Sequence, residues 1–249
     1  MAESVERSVK YFDVAPSYGK GEAQQQMGLA LRFYRNNSFL ACKTGKRDAV
    51  GAKEELERSL KEPYADRFDL YQFHGVSKME DVEQIMAPGG ALETFVEARE
   101  QRKVCYIGFS AHSEEAALTL LDQFEFDSVL YPINYVNYAQ GHFGPRLVER
   151  AKEKGIARLA LKALAYRKRD EGEEKLCQKC WYQPLTDRER IRLALRFTLS
   201  EDITATIFPG DEELYRIVPK MAHDLEPMTL GEREDLLAST EGVTPIMSA

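Results

Sequence analysis

Four residues able to move protons stand where apolar runs of this sequence end. Asp13 lies near the end of YFDVA (11–15), and Tyr18 follows five residues on. Lys43 closes FLACK (39–43) and His74 closes DLYQFH (69–74). A carboxylate, a phenol, an ammonium and an imidazole are groups suited to general acid–base work. Each has a structural reading as well: Asp13 as a turn or helix cap, Tyr18 as a packed loop aromatic, His74 as a satisfied structural histidine. Lys43 resists that treatment, because a lysine ending an apolar strand is rarely buried without a partner. Asp13, on a neighbouring strand, is the natural one. Taken together and in strand order, the four favour a functional reading. Ser110, Asn134 and Lys162 extend the series along later strands.

These residues are positioned by one repeated rhythm, a short β-rich apolar run followed by a polar amphipathic helix. The spacing predicts strands over 11–15, 39–43, 69–74, 104–110, 128–134, 156–165 and 203–210. It predicts helices over about 20–34, 48–61, 80–86, 91–102, 114–122, 145–154, 187–199, 211–223 and 229–239. Pro88-Gly89-Gly90 splits two of them, Ser113 is a predicted N-cap, and Thr186 or Asp187 is another. Residues 166–187 read as a long polar loop. Alternating strands and helices imply a parallel sheet. Repeated this often, they predict an α/β fold of the (β/α)8 TIM-barrel type, with seven recognisable parallel strands in a single domain over residues 1–249. In such barrels the reactive face lies at the C-terminal strand ends, where the polar series falls.

Composition excludes several classes. A net charge of −7 argues against a nucleic-acid surface. No apolar stretch approaches the ~20 residues of a membrane span. The start, MAESVERSVKYF, has no apolar signal core, so the expected location is the cytoplasm. Four cysteines do not make a disulfide framework. The pair Cys177/Cys180 lacks two further ligands at metal spacing, so no metal is expected.

At these residues the chain resembles the aldo-keto reductase superfamily. YFDVAPSYGKGEAQQQMGLAL resembles the family's Asp–Tyr signature, LACKTGKR its lysine segment and DLYQFHGV its histidine segment. IGFSAHS, APGGALE, YPIN, ALKALA, CWYQPL and IFPG are similar to a bacterial branch. The resemblance implies reduction of an aldehyde or ketone by NAD(P)H, with Tyr18 as general acid. Lys43 would lower the tyrosine's pKa, Asp13 would hold Lys43, and His74 would donate to the substrate carbonyl or help set the proton relay. It further implies cofactor contacts at Ser110, Asn134, Lys162, Gly210, Asp211 and Arg216. NADP is expected from the family, and NAD is an alternative because Asp211, Glu212 and Glu213 precede Arg216. The implied partners are a small carbonyl substrate and the cofactor.

Three departures accompany the resemblance. The strand holding Asp13 matches the family's second strand, so an N-terminally truncated barrel is expected. Its open edge would favour pairing of two copies. Ala111 stands where many relatives place an amide, and Arg158 sits in the middle of a strand, where a charge needs a partner. The truncation motivates an alternative: a non-catalytic barrel acting as a binding or regulatory protein.

Overall fold

The computed structural model describes residues 2–61, 66–222 and 224–249. The chain divides into two compact units, residues 1–129 and 130–249. The last residue of the helix predicted over 211–223 lies outside the described residues.

In the first unit a short helix α1 (Ala2–Glu6) leads to β1 (Tyr11–Asp13), α2 (Glu22–Leu31) and β2 (Phe39–Thr44). Then come α3 (Ala49–Leu60), β3 (Phe68–Val76), α4 (Met79–Met86), α5 (Ala91–Glu100), β4 (Val104–Ala111) and α6 (Glu114–Gln123). The ladders β1–β2, β2–β3 and β3–β4 are all parallel. From Leu40 onward β2 is buried on both faces, as expected where helices cover a parallel sheet. Alternation along β3 sends Tyr71 and Phe73 to one face, where Phe95 of α5 meets them at ring distances of 4.8 and 4.0 Å. Leu70, Gln72 and His74 therefore share the opposite face.

Helix starts follow the capping chemistry of the sequence. Asp48 accepts from Gly51 N (2.7 Å) to open α3, and Ser113 accepts from Ala116 N (3.3 Å) to open α6. A Cβ on Gly90 would come within 2.4 Å of the Gln84 and Ile85 carbonyls, so only glycine lets α5 begin there. Beside it, Ala91 N donates to the Arg47 carbonyl and Ala49 N to the Gly89 carbonyl, both at 2.8 Å. Strand β5 (Ser128–Pro132) spans the boundary between the units. Before it, Asp127 N donates to Ile107 O (2.8 Å), and after it Ile133 N donates to Leu161 O (3.0 Å).

The second unit holds α7 (Tyr135–Gly141), α8 (Pro145–Glu153), β6 (Ala157–Leu161), β7 (Ala165–Arg167) and β8 (Gln183–Pro184). It finishes with α9 (Arg188–Ser200), β9 (Ala205–Ile207), α10 (Glu212–Ala222) and α11 (Leu230–Ala238). β6 and β9 pair in parallel, and β7 and β8 form a small antiparallel pair that, from its second residue on, falls in the stretch read as a loop. The predicted strand 156–165 thus breaks at Lys162, whose φ of 62° is left-handed. Helix α7 was not predicted. It starts because the Asn134 side chain accepts from Asn137 N (2.9 Å). Asp187, not Thr186, caps α9. The mid-strand Arg158 is satisfied: it pairs with Asp202 (2.8 Å) and donates to the Ile156 carbonyl (2.8 Å).

The C-terminal segment lies along α7, with Met247 N donating to Asn137 Oδ1 (3.3 Å) and Ala249 N to Gly141 O (2.9 Å). A Cβ on Gly141 would stand 2.2 Å from the Met247 carbonyl. Gly141→Ala is therefore expected to lift this segment and destabilise the protein by about 1–3 kcal/mol, the usual penalty of overpacking. Urea unfolding and the rate of carboxypeptidase trimming would register both effects. Glu232 offers a second check. Its carboxyl is held down to about 2, first by Arg196 (2.7 and 2.8 Å) and then by the Thr229 N–H and hydroxyl. The unfolded chain binds this proton more tightly, so the stabilisation is present above pH ~4.5 and fades as pH falls toward ~2. Glu232→Gln should be less stable than the parent at pH 7, and the gap should close across that window in an acid-unfolding series.

Candidate active site

In the first unit, strand register brings the sequence-predicted set together. Lys43 on β2 is side by side with Gln72 on β3, which in turn faces Gly108 on β4. Lys43 is 1% exposed and forms an ion pair with Asp13 Oδ1. The other oxygen of Asp13 accepts from Tyr11 OH (3.1 Å) and Gln72 Nε2 (3.3 Å). Burial pushes the Lys43 ammonium down to about 7, and the carboxylate in direct contact opposes that by favouring the charged form.

Tyr18 begins a short 3₁₀ turn, Tyr18–Gly21, whose next three residues, Gly19, Lys20 and Gly21, all have positive φ. The phenol oxygen lies 3.5 Å from His74 Nε2, and the two rings meet edge-on at 5.4 Å. Lys43 Nζ stands 5.3 Å from the centre of the Tyr18 ring. The ammonium thus faces the ring while its bond goes to Asp13. Here the structure departs from the expected lowering of the phenol pKa: burial, and secondarily Cys42, push Tyr18 up to about 12. The residue is 39% exposed nonetheless. At neutral pH Tyr18 is a proton-bearing phenol within reach of an imidazole.

His74 is aimed by an irregularity in its strand. The β3–β4 register shifts between Phe73 and Val76, and Gly75 takes a φ of 63°. Such shifts re-aim a side chain next to a site. Three contacts hold the shift in place. Arg47 Nη2 donates to the His74 carbonyl (2.9 Å), Gly75 N donates to Ser110 Oγ (2.7 Å), and Ser110 Oγ donates to the Phe73 carbonyl (3.5 Å). Ser110 is 2% exposed, so its hydroxyl is shared by the two residues flanking His74.

The remaining predicted residues lie in the second unit. Asn134 is fully buried; besides capping α7 it donates to the Lys162 carbonyl (3.3 Å). Burial pushes the Lys162 ammonium down to about 8, and its Nζ lies 5.8 Å from the centre of the Trp181 ring. The Gly210 carbonyl accepts from Lys179 Nζ (3.0 Å). Asp211 Oδ1 accepts from the backbone N of Glu213 (3.1 Å) and Leu214 (3.2 Å) at the start of α10, and Oδ2 accepts from Cys177 Sγ (3.3 Å). The Leu214 N–H leads in holding the Asp211 carboxyl below its ordinary value. Arg216 pairs with Glu212 (2.7 Å) on the exposed face of α10. Sequence reading did not single out Tyr11, Gln72, Arg47 or Lys179; a buried glutamine in an apolar strand was the one available signal. Cys177 and Cys180 pack with Ala165, Tyr182 and Ile246, and no group of three or more potential metal ligands occurs among the described residues. No helix among them is long and apolar enough to cross a membrane.

Comparison with known proteins converges on one family. The model of the aldo/keto reductase family matches residues 1–231. Among curated proteins the chain is similar to the uncharacterized oxidoreductase YqkF of Bacillus subtilis, 27% identical over 121 residues, covering 44% of this chain and 38% of the relative. It is also similar to aldo-keto reductase YhdN of the same organism, 31% identical over 124 residues, covering 45% and 36%. The matched stretches thus span little more than a third of these relatives. Among solved structures it resembles aldo-keto reductase AKR11C1 from Bacillus halodurans (TM-score 0.72, 21% identity, 98% of this chain and 87% of that one). It also resembles an aldo-keto reductase from Klebsiella pneumoniae in complex with NADPH (TM-score 0.73, 16% identity, 100% and 85%). The fold is accordingly of the (β/α)8-barrel type, with seven strands in the order β1-β2-β3-β4-β5-β6-β9. The chain belongs to the aldo/keto reductase family.

Proposed function

We propose that this protein is an oxidoreductase that reduces a small aldehyde or ketone at the expense of NADPH, with Tyr18 as the proton donor. The observation that carries this reading is the contact of Tyr18 with His74 beside the buried Lys43–Asp13 pair. One observation of the chain fits a nicotinamide dinucleotide: Lys162 is a partly buried cation whose charged form gains from a phosphate beside it. In this reading Ser110, Asn134, Lys162, Gly210, Asp211 and Arg216 hold the cofactor. NADP is favoured over NAD because Arg216 can leave the exposed Glu212 for a 2′-phosphate.

The bound cofactor supplies the hydride. The rest falls to the side chains of the chain itself. In this reading His74 donates to a carbonyl oxygen near Tyr18 OH and orients it. As negative charge develops on that oxygen, Tyr18 passes its proton to it. A pKa near 12 keeps the proton on the phenol until then, and an alkoxide is more basic still, so the transfer runs downhill. The Lys43 ammonium, over the ring and anchored by Asp13, stabilises the phenolate left behind.

Three outcomes are expected. Titration of NADPH and NADH, followed by cofactor fluorescence, should show saturable binding with NADPH the tighter; no binding of either by folded protein would favour the non-catalytic alternative. Tyr18→Phe should lower kcat by about 10²–10⁴-fold, the range for loss of a general acid, with NADPH affinity unchanged. Intact turnover in that variant would remove Tyr18 from the role. The difference between parent and Tyr18→Phe in phenolate absorbance should appear near pH 12 rather than near the ordinary tyrosine value of ~10.

A further inference from the structure

Two residues outside the predicted set surround the charged pair. Gln72 is completely buried in the middle of β3, on the same face as His74. Its amide nitrogen faces Asp13 Oδ2 at 3.3 Å, as it must, because a carboxylate only accepts. That orientation turns Gln72 Oε1 to a buried position where it has no hydrogen-bond partner among the described residues. Tyr11, two residues before Asp13 on β1, donates its hydroxyl to the same carboxylate oxygen at 3.1 Å and also contacts the Gln72 side chain. Leaving a buried acceptor unsatisfied costs about 1–3 kcal/mol, and an apolar residue of the same shape would avoid that. Stability alone therefore does not account for a glutamine here.

We propose that Tyr11 and Gln72 are positioning residues that fix Asp13 by its Oδ2, so that Oδ1 presents a single, immobile partner to the Lys43 ammonium. This rests on the role proposed above for Lys43 and Asp13, and extends it to the groups that set their geometry. The donors come from two strands, β1 and β3, on either side of the strand that carries Lys43. Asp13 is thus gripped from both flanks, and its carboxylate cannot swing away from the lysine. Both donors are neutral at physiological pH. They draw charge from the carboxylate and so moderate its hold on Lys43. Among the described residues, Tyr11 bonds to Asp13, and Tyr18, whose ring centre is 5.3 Å from Lys43 Nζ, contacts His74 in turn.

The test uses Gln72→Met and Tyr11→Phe in the whole protein, each removing a donor with little change of shape. Two readouts are taken. The first needs no cofactor: the titration of the Lys43 side chain by NMR with isotope-labelled lysine, assigned by its loss in Lys43→Met. With one donor removed, the positive end of its dipole no longer opposes the ammonium beside Asp13, and the midpoint should rise by roughly a few tenths of a pH unit in each variant. The second is steady-state reduction of a carbonyl substrate. There kcat should fall by about tenfold or more, while KM for NADPH changes less than about twofold. An unchanged Lys43 titration in both folded variants would overturn the proposal. Failure of both to fold would also overturn it, since the two residues would then be structural. If the parent turns over no carbonyl with either cofactor, the proposed function fails, and the lysine titration still decides whether Tyr11 and Gln72 set the pair.

Discussion

The first unit is organised around one buried charge pair. An ammonium that is 1% exposed is costly in a folded protein unless an anion meets it with good geometry and further bonds satisfy that anion. Here Asp13 meets Lys43, while Tyr11 and Gln72 occupy the remaining carboxylate oxygen. Three adjacent parallel strands must keep their register for this to hold. A one-residue slip of β2 would turn Lys43 to the opposite face and leave Asp13 without its cation. The requirement links the short β1, only three residues long, to the better-covered β2 and β3.

The imidazole depends on a different device. A regular strand would carry His74 on without a change of direction. The left-handed Gly75 and the shared hydroxyl of Ser110 instead bend the end of β3 toward Tyr18. The phenol is delivered in the same manner, by a turn whose three residues after Tyr18 all have positive φ. Conformations of this sort persist only where surrounding contacts over-determine them, and they gather at functional sites. Lys162, at the end of β6 in the second unit, likewise has a positive φ of 62°.

Much of this was legible in the sequence, because burial on both faces writes long apolar runs and the polar residues that end them stand out. Asp13, Tyr18, Lys43 and His74 were visible for that reason. What escaped notice had weaker local signals. YPIN reads on as strand through Asn134, yet the chain turns there, since the asparagine side chain gives α7 its cap. β7 and β8 span three and two residues, too few to show alternation. Gln72 carries no local signal of its partner, because its bond to Asp13 exists only once β1 lies two strands away with a carboxylate facing it. Ser110 could be read from its neighbourhood in sequence, but not the sharing of its hydroxyl by two peptides of β3. The phenol's raised pKa depends on how the groups around it crowd, which no linear pattern encodes.

Arg47 carries one more implication. Its guanidinium grips the His74 carbonyl with one nitrogen and Asp81, in the first turn of α4, with another at 3.0 Å. The planar group has fixed angles between its nitrogens, unlike the freely rotating ammonium of a lysine. The start of α4 and the peptide after the imidazole are therefore joined by a stiff crank. A displacement of Asp81 would therefore be felt at the His74 carbonyl, so that the first turn of α4 and the end of β3 move as linked parts.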